Sequence, residues 1–146
     1  MSIWEGLFMS KAFLQNQTMG ILKNSLDATS LRHKTVSNNI ANINTPNYKR
    51  QVVNFEEELA NYLDKKFDSL SLKTTNPRHI SFNKNNYWEI KPTITRDTSV
   101  LRTDGNNVDI DLELAILSEN TVKFNVLSQT INKKFSMLRS VIRGGR

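Results

Sequence analysis

Histidine, cysteine and clustered carboxylates furnish most enzyme and metal centres, and in this 146-residue chain they are sparse. His33 and His79 are the only histidines and cysteine is absent, so no transition-metal cluster of familiar spacing can be composed and disulfides are excluded. His33 falls on a heptad seam and reads as a packed or hydrogen-bonded side chain. His79, within Pro77-Arg78-His79-Ile80, reads as structural, the alternative being titration near the ordinary imidazole pKa of about 6.5. The run Asp104-Gly105-Asn106-Asn107-Val108-Asp109-Ile110-Asp111-Leu112-Glu113 superficially suggests calcium. It fails the EF-hand pattern, because its glycine comes second and too few residues precede the glutamate; a turn followed by a helix start accounts for it better. Glu56-Glu57-Glu58 reads as a solvated first helical turn, and none of the five glycines lies in a phosphate-binding loop. Trp4, Trp88 and the phenylalanines read as packing or interface anchors rather than a base-stacking platform. The expectation is a chain with no catalytic residue, metal, cofactor or small-molecule substrate.

Charge is the next candidate for function. The net value is +6, but residues 1–119 hold 14 Lys+Arg against 14 Asp+Glu and cancel. The excess is Lys123, Lys133, Lys134, Arg139, Arg143 and Arg146, with no acid after residue 119. Such a segment could bind nucleic acid or an acidic membrane surface. The plainer account is that cations complement a helix C-terminus, aid solubility and meet acidic neighbouring subunits; on this account nucleic acid is not a partner.

The elements that must carry these residues follow from periodicity. Leu22, Leu26, Thr29, His33, Val36, Ile40 and Ile43 recur at alternating spacings of 4 and 3, a heptad pattern. It predicts a helix from about Met19 to Asn44, ended by Pro46, since the residue before a proline is pushed out of the helical region. A second helix is predicted from Asp109 to about Arg143, with Ile110, Leu114, Leu117, Thr121, Phe124, Leu127, Ile131, Phe135, Leu138 and Ile142 on one seam, acids in its first turn and bases near its end. The two helices pair in antiparallel fashion, leaving Ile21, Ile116 and Val122 for neighbours. Between them, Asn54 with Glu57 signals an N-cap, and Phe55, Leu59, Tyr62 and Leu63 suggest a short helix to about Lys66. Residues 79–82, 87–90 and 93–95 read as short strands or an extended loop, and Trp4, Leu7, Phe8 and Phe13 belong to a separate short helix or arm. The fold class is mainly α, one domain of about this size: an N-terminal helical segment (1–46), a middle segment (47–104) and a C-terminal helix (105–146). No run approaches the ~20 apolar residues that span a bilayer, and the start lacks the pattern of a cleavable signal peptide.

The most informative stretch is Ser37-Asn38-Asn39-Ile40-Ala41-Asn42-Ile43-Asn44-Thr45-Pro46-Asn47-Tyr48-Lys49. Asparagine is a mediocre helix former whose amide is costly to bury unpaired, so Asn38, Asn39 and Asn42 need partners. A polar residue on a seam can fix register at some cost in stability. This stretch resembles the N-terminal signature of bacterial flagellar rod and hook proteins, with Asn47 where that family usually has glycine; asparagine tolerates the left-handed backbone such a turn requires. The stretches 74–80, 104–113 and 138–145 narrow the resemblance to the proximal-rod subunits.

The resemblance implies a structural subunit of the basal-body rod, in the periplasm-spanning part of the flagellum, with the paired helices innermost around a central channel. It implies helical self- and hetero-assembly with other rod subunits, the rod adaptor protein and the base-ring protein, and passage through the flagellar export apparatus. The expected assembly interface comprises Leu22, Leu26, Val36, Asn38, Asn39, Ile40, Asn42, Ile43, Pro46 and Tyr48 from the first part, and Leu117, Phe124, Leu127, Ile131, Phe135, Leu138 and Ile142 from the last. The rival readings are a basic helical nucleic-acid-binding protein using Lys133, Lys134, Arg139 and Arg143, and a soluble coiled-coil adaptor.

Overall fold

In chain order the elements are α1 (Gln17–Ala41), β1 (Gln51–Asn54), α2 (Glu56–Asp68), β2 (Thr93–Arg96) and α3 (Ile110–Ile142). They come from a computed structural model that describes residues 17–68, 90–99 and 102–144. The arm with Trp4, Leu7, Phe8 and Phe13, the strand candidate 79–82 and residues 87–89 of the next lie outside the described residues.

α3, with 33 residues, is about 50 Å long at 1.5 Å per residue. Its ends fall where the sequence puts them: Asp109 is the N-cap, its carboxylate accepting from the backbone N–H groups of Asp111 and Leu112, and Arg143 is the C-cap. α1 ends earlier than the proline rule predicts, at Ala41 instead of about Asn44. From residue 42 onward the backbone turns, held by side-chain amides beside its own backbone hydrogen bonds: Asn42 Nδ2 donates to Asn38 O at 2.7 Å, which also accepts from Asn42 N, and Asn106 donates from across the fold to carbonyls of the turn that follows. Pro46 lies in the turn beyond, and Asn47 takes the left-handed conformation with φ 59°, as the replacement of glycine by asparagine implied.

α1 and α3 run antiparallel. Asn39 contacts Glu113 while Thr29, earlier on α1, accepts from Asn120, later on α3. The seam between them keeps Thr29 and Val36 of the heptad expected and differs at its other positions. On α1 the buried residues include Asn24, Ala28, Thr29, Thr35, Val36 and Asn39, whereas Leu22, Leu26, Ile40 and Ile43 are half-buried and His33 is exposed. On α3 the two buried residues are Glu113 and Asn120. Small and amide-bearing residues therefore occupy the closest approach, and larger apolar side chains flank it.

β1 and β2 form an antiparallel pair in the register Gln51↔Arg96 through Asn54↔Thr93. Residues 93–95, read as a short strand or extended loop, lie in a strand; a strand at Gln51–Asn54 was not expected. That pairing also corrects the start of α2: Asn54 is a strand residue whose Nδ2 donates to Thr95 Oγ1 at 3.2 Å, so the helix begins at Glu56, and Phe55 O accepts from Leu59 N. Among the described residues Ala28, Phe55 and Ile90 form a buried apolar cluster, with Leu59 and Tyr62 against it. It attaches α2 to α1, Phe55 alone contributing about 1.5–3 kcal/mol by burial.

Candidate functional site

The asparagine-rich turn after α1 and the acidic turn before α3 are stitched together by side-chain amides. Asn106 is fully buried, and its Nδ2 lies about 3 Å from three carbonyls, those of Asn42 at 3.0 Å, Ile43 at 3.0 Å and Thr45 at 2.9 Å. These carbonyls belong to the turn that follows α1, where Asn42 O also accepts from Thr45 N and Thr45 O from Tyr48 N, so one amide pins that turn to the approach to α3. Its Oδ1 accepts from Val108 N at 2.8 Å, shaping the approach to α3. Asn107 does the equivalent for the strand pair: its Oδ1 accepts from Arg50 N at 2.6 Å, and its Nδ2 donates to Asp97 O at 3.0 Å. Lys49 Nζ donates to Gly105 O at 2.8 Å, and Asn47 N to Asp104 O at 3.0 Å.

Beneath these turns lies a buried ionic node. The Glu113 side chain is 0% exposed and pairs with Arg50, itself 16% exposed, through an Nε to Oε1 hydrogen bond. Asn39, also fully buried, donates through Nδ2 to Gln51 O at 2.8 Å and to Glu113 Oε2 at 3.2 Å. Its Oδ1 accepts from Gln51 N at 3.0 Å and from the Tyr48 hydroxyl at 3.1 Å. All four bonding sites of one amide are thus engaged. Burial, then the nearby Glu113 charge, raise the Tyr48 pKa above 10.0, against a smaller opposing influence of Arg96. The phenol therefore stays a donor through neutral pH, and this tie is lost only as pH climbs through that raised value.

A second tie joins α1 to the start of α2. Arg32 clasps Glu56 through two hydrogen bonds, at 2.8 and 2.6 Å, and also donates to Val53 O; Lys123 of α3 approaches the same carboxylate at 3.7 Å. Burial acts to raise the Glu56 pKa, but the Arg32 hydrogen bond, the helix's own N–H and the Arg32 and Lys123 charges together lower it. Its contribution to stability is accordingly present above the ordinary carboxylate range and is lost as pH falls through the depressed value.

Of the residues expected to assemble, Val36 and Asn39 are buried inside the chain. Leu22, Leu26, Ile40, Asn42, Ile43, Tyr48, Leu117, Leu127, Ile131 and Leu138 are half-buried, and Asn38, Pro46, Phe124, Phe135 and Ile142 are exposed. An open apolar groove runs between the helices, lined by Ala28, Phe55, Leu59, Val122, Val126 and Leu127. Arg50, Asn106, Asn107, Glu113 and Asn120 did not emerge from the sequence. For Glu113 and Asn120 a signal existed: with Leu117, Phe124 and Leu127 they continue the 3/4 spacing, so polar residues stand on a seam. Asn120 donates to Thr29 O at 2.9 Å, and its Oδ1 has no hydrogen-bond partner among the described residues.

Gly105 has φ +77°, and a Cβ there would stand 2.5 Å from Asn47 Oδ1. Gly105→Ala is expected to cost about 1–3 kcal/mol from the left-handed backbone and the clash together. Adding Asn47→Gly should recover only part, because it removes the clash and leaves the backbone penalty. Urea midpoints of the two variants check this; complete recovery would mean that backbone conformation contributes nothing.

Among the described residues no group of three or more His, Cys, Asp or Glu could hold a metal ion, and no helix is long and apolar enough to cross a membrane. Residues 21–49, which form most of α1 and the turn that Asn106 pins, match the family described as "Flagella basal body rod protein". The chain is 37% identical over 131 residues to the flagellar basal body rod protein FlgB of Bacillus subtilis (strain 168), covering 88% of this chain and 95% of that one. It is 37% identical over 121 residues to FlgB of Borrelia hermsii, covering 81% and 90%. FlgB of Buchnera aphidicola subsp. Acyrthosiphon pisum is 32% identical over 129 residues, covering 88% and 96%. With similarity of this extent running over most of both chains, and with the motif that carries it folded into the node between the two long helices, the chain belongs to the flagellar basal body rod protein FlgB family.

Proposed function

We propose that the chain is a structural subunit of the flagellar basal-body rod that assembles helically through its two long helices, transmits torque by packing and lines the export channel. The observation that carries this reading is an inversion along α3: its deepest side chains are Glu113 and Asn120, while Val122 and Val126 are 63% and 56% exposed. Exposed apolar side chains lining an open apolar groove suit a chain whose remaining burial comes from neighbours. The polar node supports the same reading, because it fixes how the middle segment leaves the helix pair. An open helical array requires heterologous contacts that do not close, and the faces of α1 and α3 differ accordingly. Partners on this reading are other rod subunits, the rod adaptor and base-ring proteins, and the export apparatus.

Val122→Asp with Val126→Asp tests the reading. Both positions are exposed, so helical content and unfolding midpoint should change by no more than about 0.5 kcal/mol. Rod assembly should fail, scored by swimming and by imaging the tagged chain in purified basal bodies. Normal motility with an unaltered basal body would remove this face from the assembly mechanism.

A further inference from the structure

The two-stranded sheet is sealed on one edge and open on the other. Asp97 N donates to Arg50 O at 2.9 Å, and bonded pairs alternate along an antiparallel ladder. In the register of β1 and β2, Gln51 and Val53 therefore direct their N–H and C=O groups away from β2, and Ile94 and Arg96 direct theirs away from β1. Side chains of α1 seal the β1 edge. The Asn39 amide pairs with both backbone groups of Gln51, accepting from its N–H at 3.0 Å and donating to its carbonyl at 2.8 Å, and Arg32 donates to Val53 O at 3.2 Å. Asn107 closes the end of the ladder in the same way, between Arg50 N and Asp97 O. The β2 edge has no equivalent: among the described residues Ile94 and Arg96 meet neither a third strand nor the backbone of a loop. Every residue of β2 is exposed, Ile94 at 48%. No bulge breaks the register, and Pro92 precedes the strand, so neither device blocks the edge.

We propose that the open edge of β2 takes a third strand from another protein of the basal body: an extended segment whose backbone bonds Ile94 and Arg96, with an apolar side chain beside Ile94 and a carboxylate two positions away beside Arg96. Charge complementarity selects this occupant. Residues 90–96 carry Lys91 and Arg96 and no acid, and among the described residues neither base forms an ion pair. Asp97, which follows, is taken up by the Ser99 N–H at 2.9 Å. A second copy of β2 would bring only bases to the joint, and residues 69–89 of this chain offer Lys73, Arg78 and Lys84 against the single acid Glu89. The contact belongs to the middle segment, apart from the two long helices, and it rests on the rod-subunit reading for where the partner is met.

Amide exchange, read by mass spectrometry on the free chain and on purified basal bodies, tests the contact. The amides of Ile94 and Arg96 should exchange about tenfold more slowly in the basal body, and equal rates would overturn the proposal. Ile94→Pro removes an N–H that the β1–β2 ladder does not use, at a place where an edge strand tolerates proline, so the urea midpoint of the free variant should match that of Ile94→Ala. In basal bodies Ile94→Pro should lose the protection at Arg96 while Ile94→Ala keeps it. Loss in both would mean that the side chain makes the contact, and the third strand would be wrong. A carbodiimide joins an amine to a carboxylate in contact with it. Lys91, and the amine supplied by Arg96→Lys, should therefore couple to an Asp or Glu of another protein, and Arg96→Glu should lower the yield at Lys91 about tenfold. Coupling of these amines only to this chain, whether to a second copy or to Glu89, would overturn the occupant. A chain missing from basal bodies would instead remove the rod-subunit reading, and this inference with it.

Discussion

Arg50→Ala is expected to destabilise the chain by about 3–5 kcal/mol, because it leaves the Glu113 carboxylate buried without its counter-ion. Glu113 has no exposed side-chain surface, and the Asn39 amide is its other hydrogen-bond donor across the seam. A domain of this kind has a total stability of about 5–15 kcal/mol, so the variant loses a large share and should unfold at a much lower urea concentration. Rod incorporation should fail with it. The informative companion is Arg50→Met combined with Glu113→Leu, which removes both charges and keeps similar volume. Replacing a buried pair by apolar residues is often neutral or stabilising, so the double variant should regain most of the midpoint. A double variant as unstable as Arg50→Ala would mean that the ion pair stabilises the fold in its own right, beyond satisfying a buried charge.

The contrast between those two variants also explains which parts of this molecule the sequence revealed. The boundaries of α3 were legible, because Asp109 caps its start and the apolar spacing runs unbroken to Ile142. The turn at Asn47 was legible through the same logic, since few side chains tolerate its backbone conformation. What escaped was the set of contacts joining residues distant along the chain. Asn106 and Asn107 looked like turn residues, and nothing local shows that one amide reaches back to the carbonyls of Asn42, Ile43 and Thr45. The heptad rule assigned the inner seam of α1 to Leu22, Leu26, Thr29, His33, Val36, Ile40 and Ile43; of these Thr29 and Val36 are buried, and Asn24, Ala28, Thr35 and Asn39 take the other buried places, because close approach favours small residues and the Asn39 amide is fully hydrogen-bonded there. β1 escaped because Gln51–Asn54 is short and alternates weakly. Its pairing with β2 is set by Asn107, which accepts from Arg50 N and donates to Asp97 O.

Asn39→Asp should be the most disruptive near-isosteric change in the chain. The two bonds that Asn39 Oδ1 accepts, from Gln51 N and Tyr48 OH, survive the substitution. The two that Nδ2 donates do not: an oxygen would then face Gln51 O, formerly 2.8 Å from the amide nitrogen, and Glu113 Oε2, formerly 3.2 Å from it. Two carboxylates in contact at a site with no solvent exposure cannot both ionise cheaply, and the expected loss at pH 7 is about 3–5 kcal/mol. The loss should depend on pH with a definite sign. Burial and the neighbouring Glu113 charge raise the pKa of the new carboxyl above its unfolded value of about 3.9. Its protonated form regains a donor for the node, so stability is held below the unfolded pKa and is lost as pH rises through the folded one. The deficit relative to the parent chain should therefore shrink steadily between pH 7 and about pH 4.5. Urea unfolding of both proteins across that interval measures it. A deficit that stays constant with pH would show that the Asn39 amide does not face an ionised carboxylate, and the ionic node as described would be wrong.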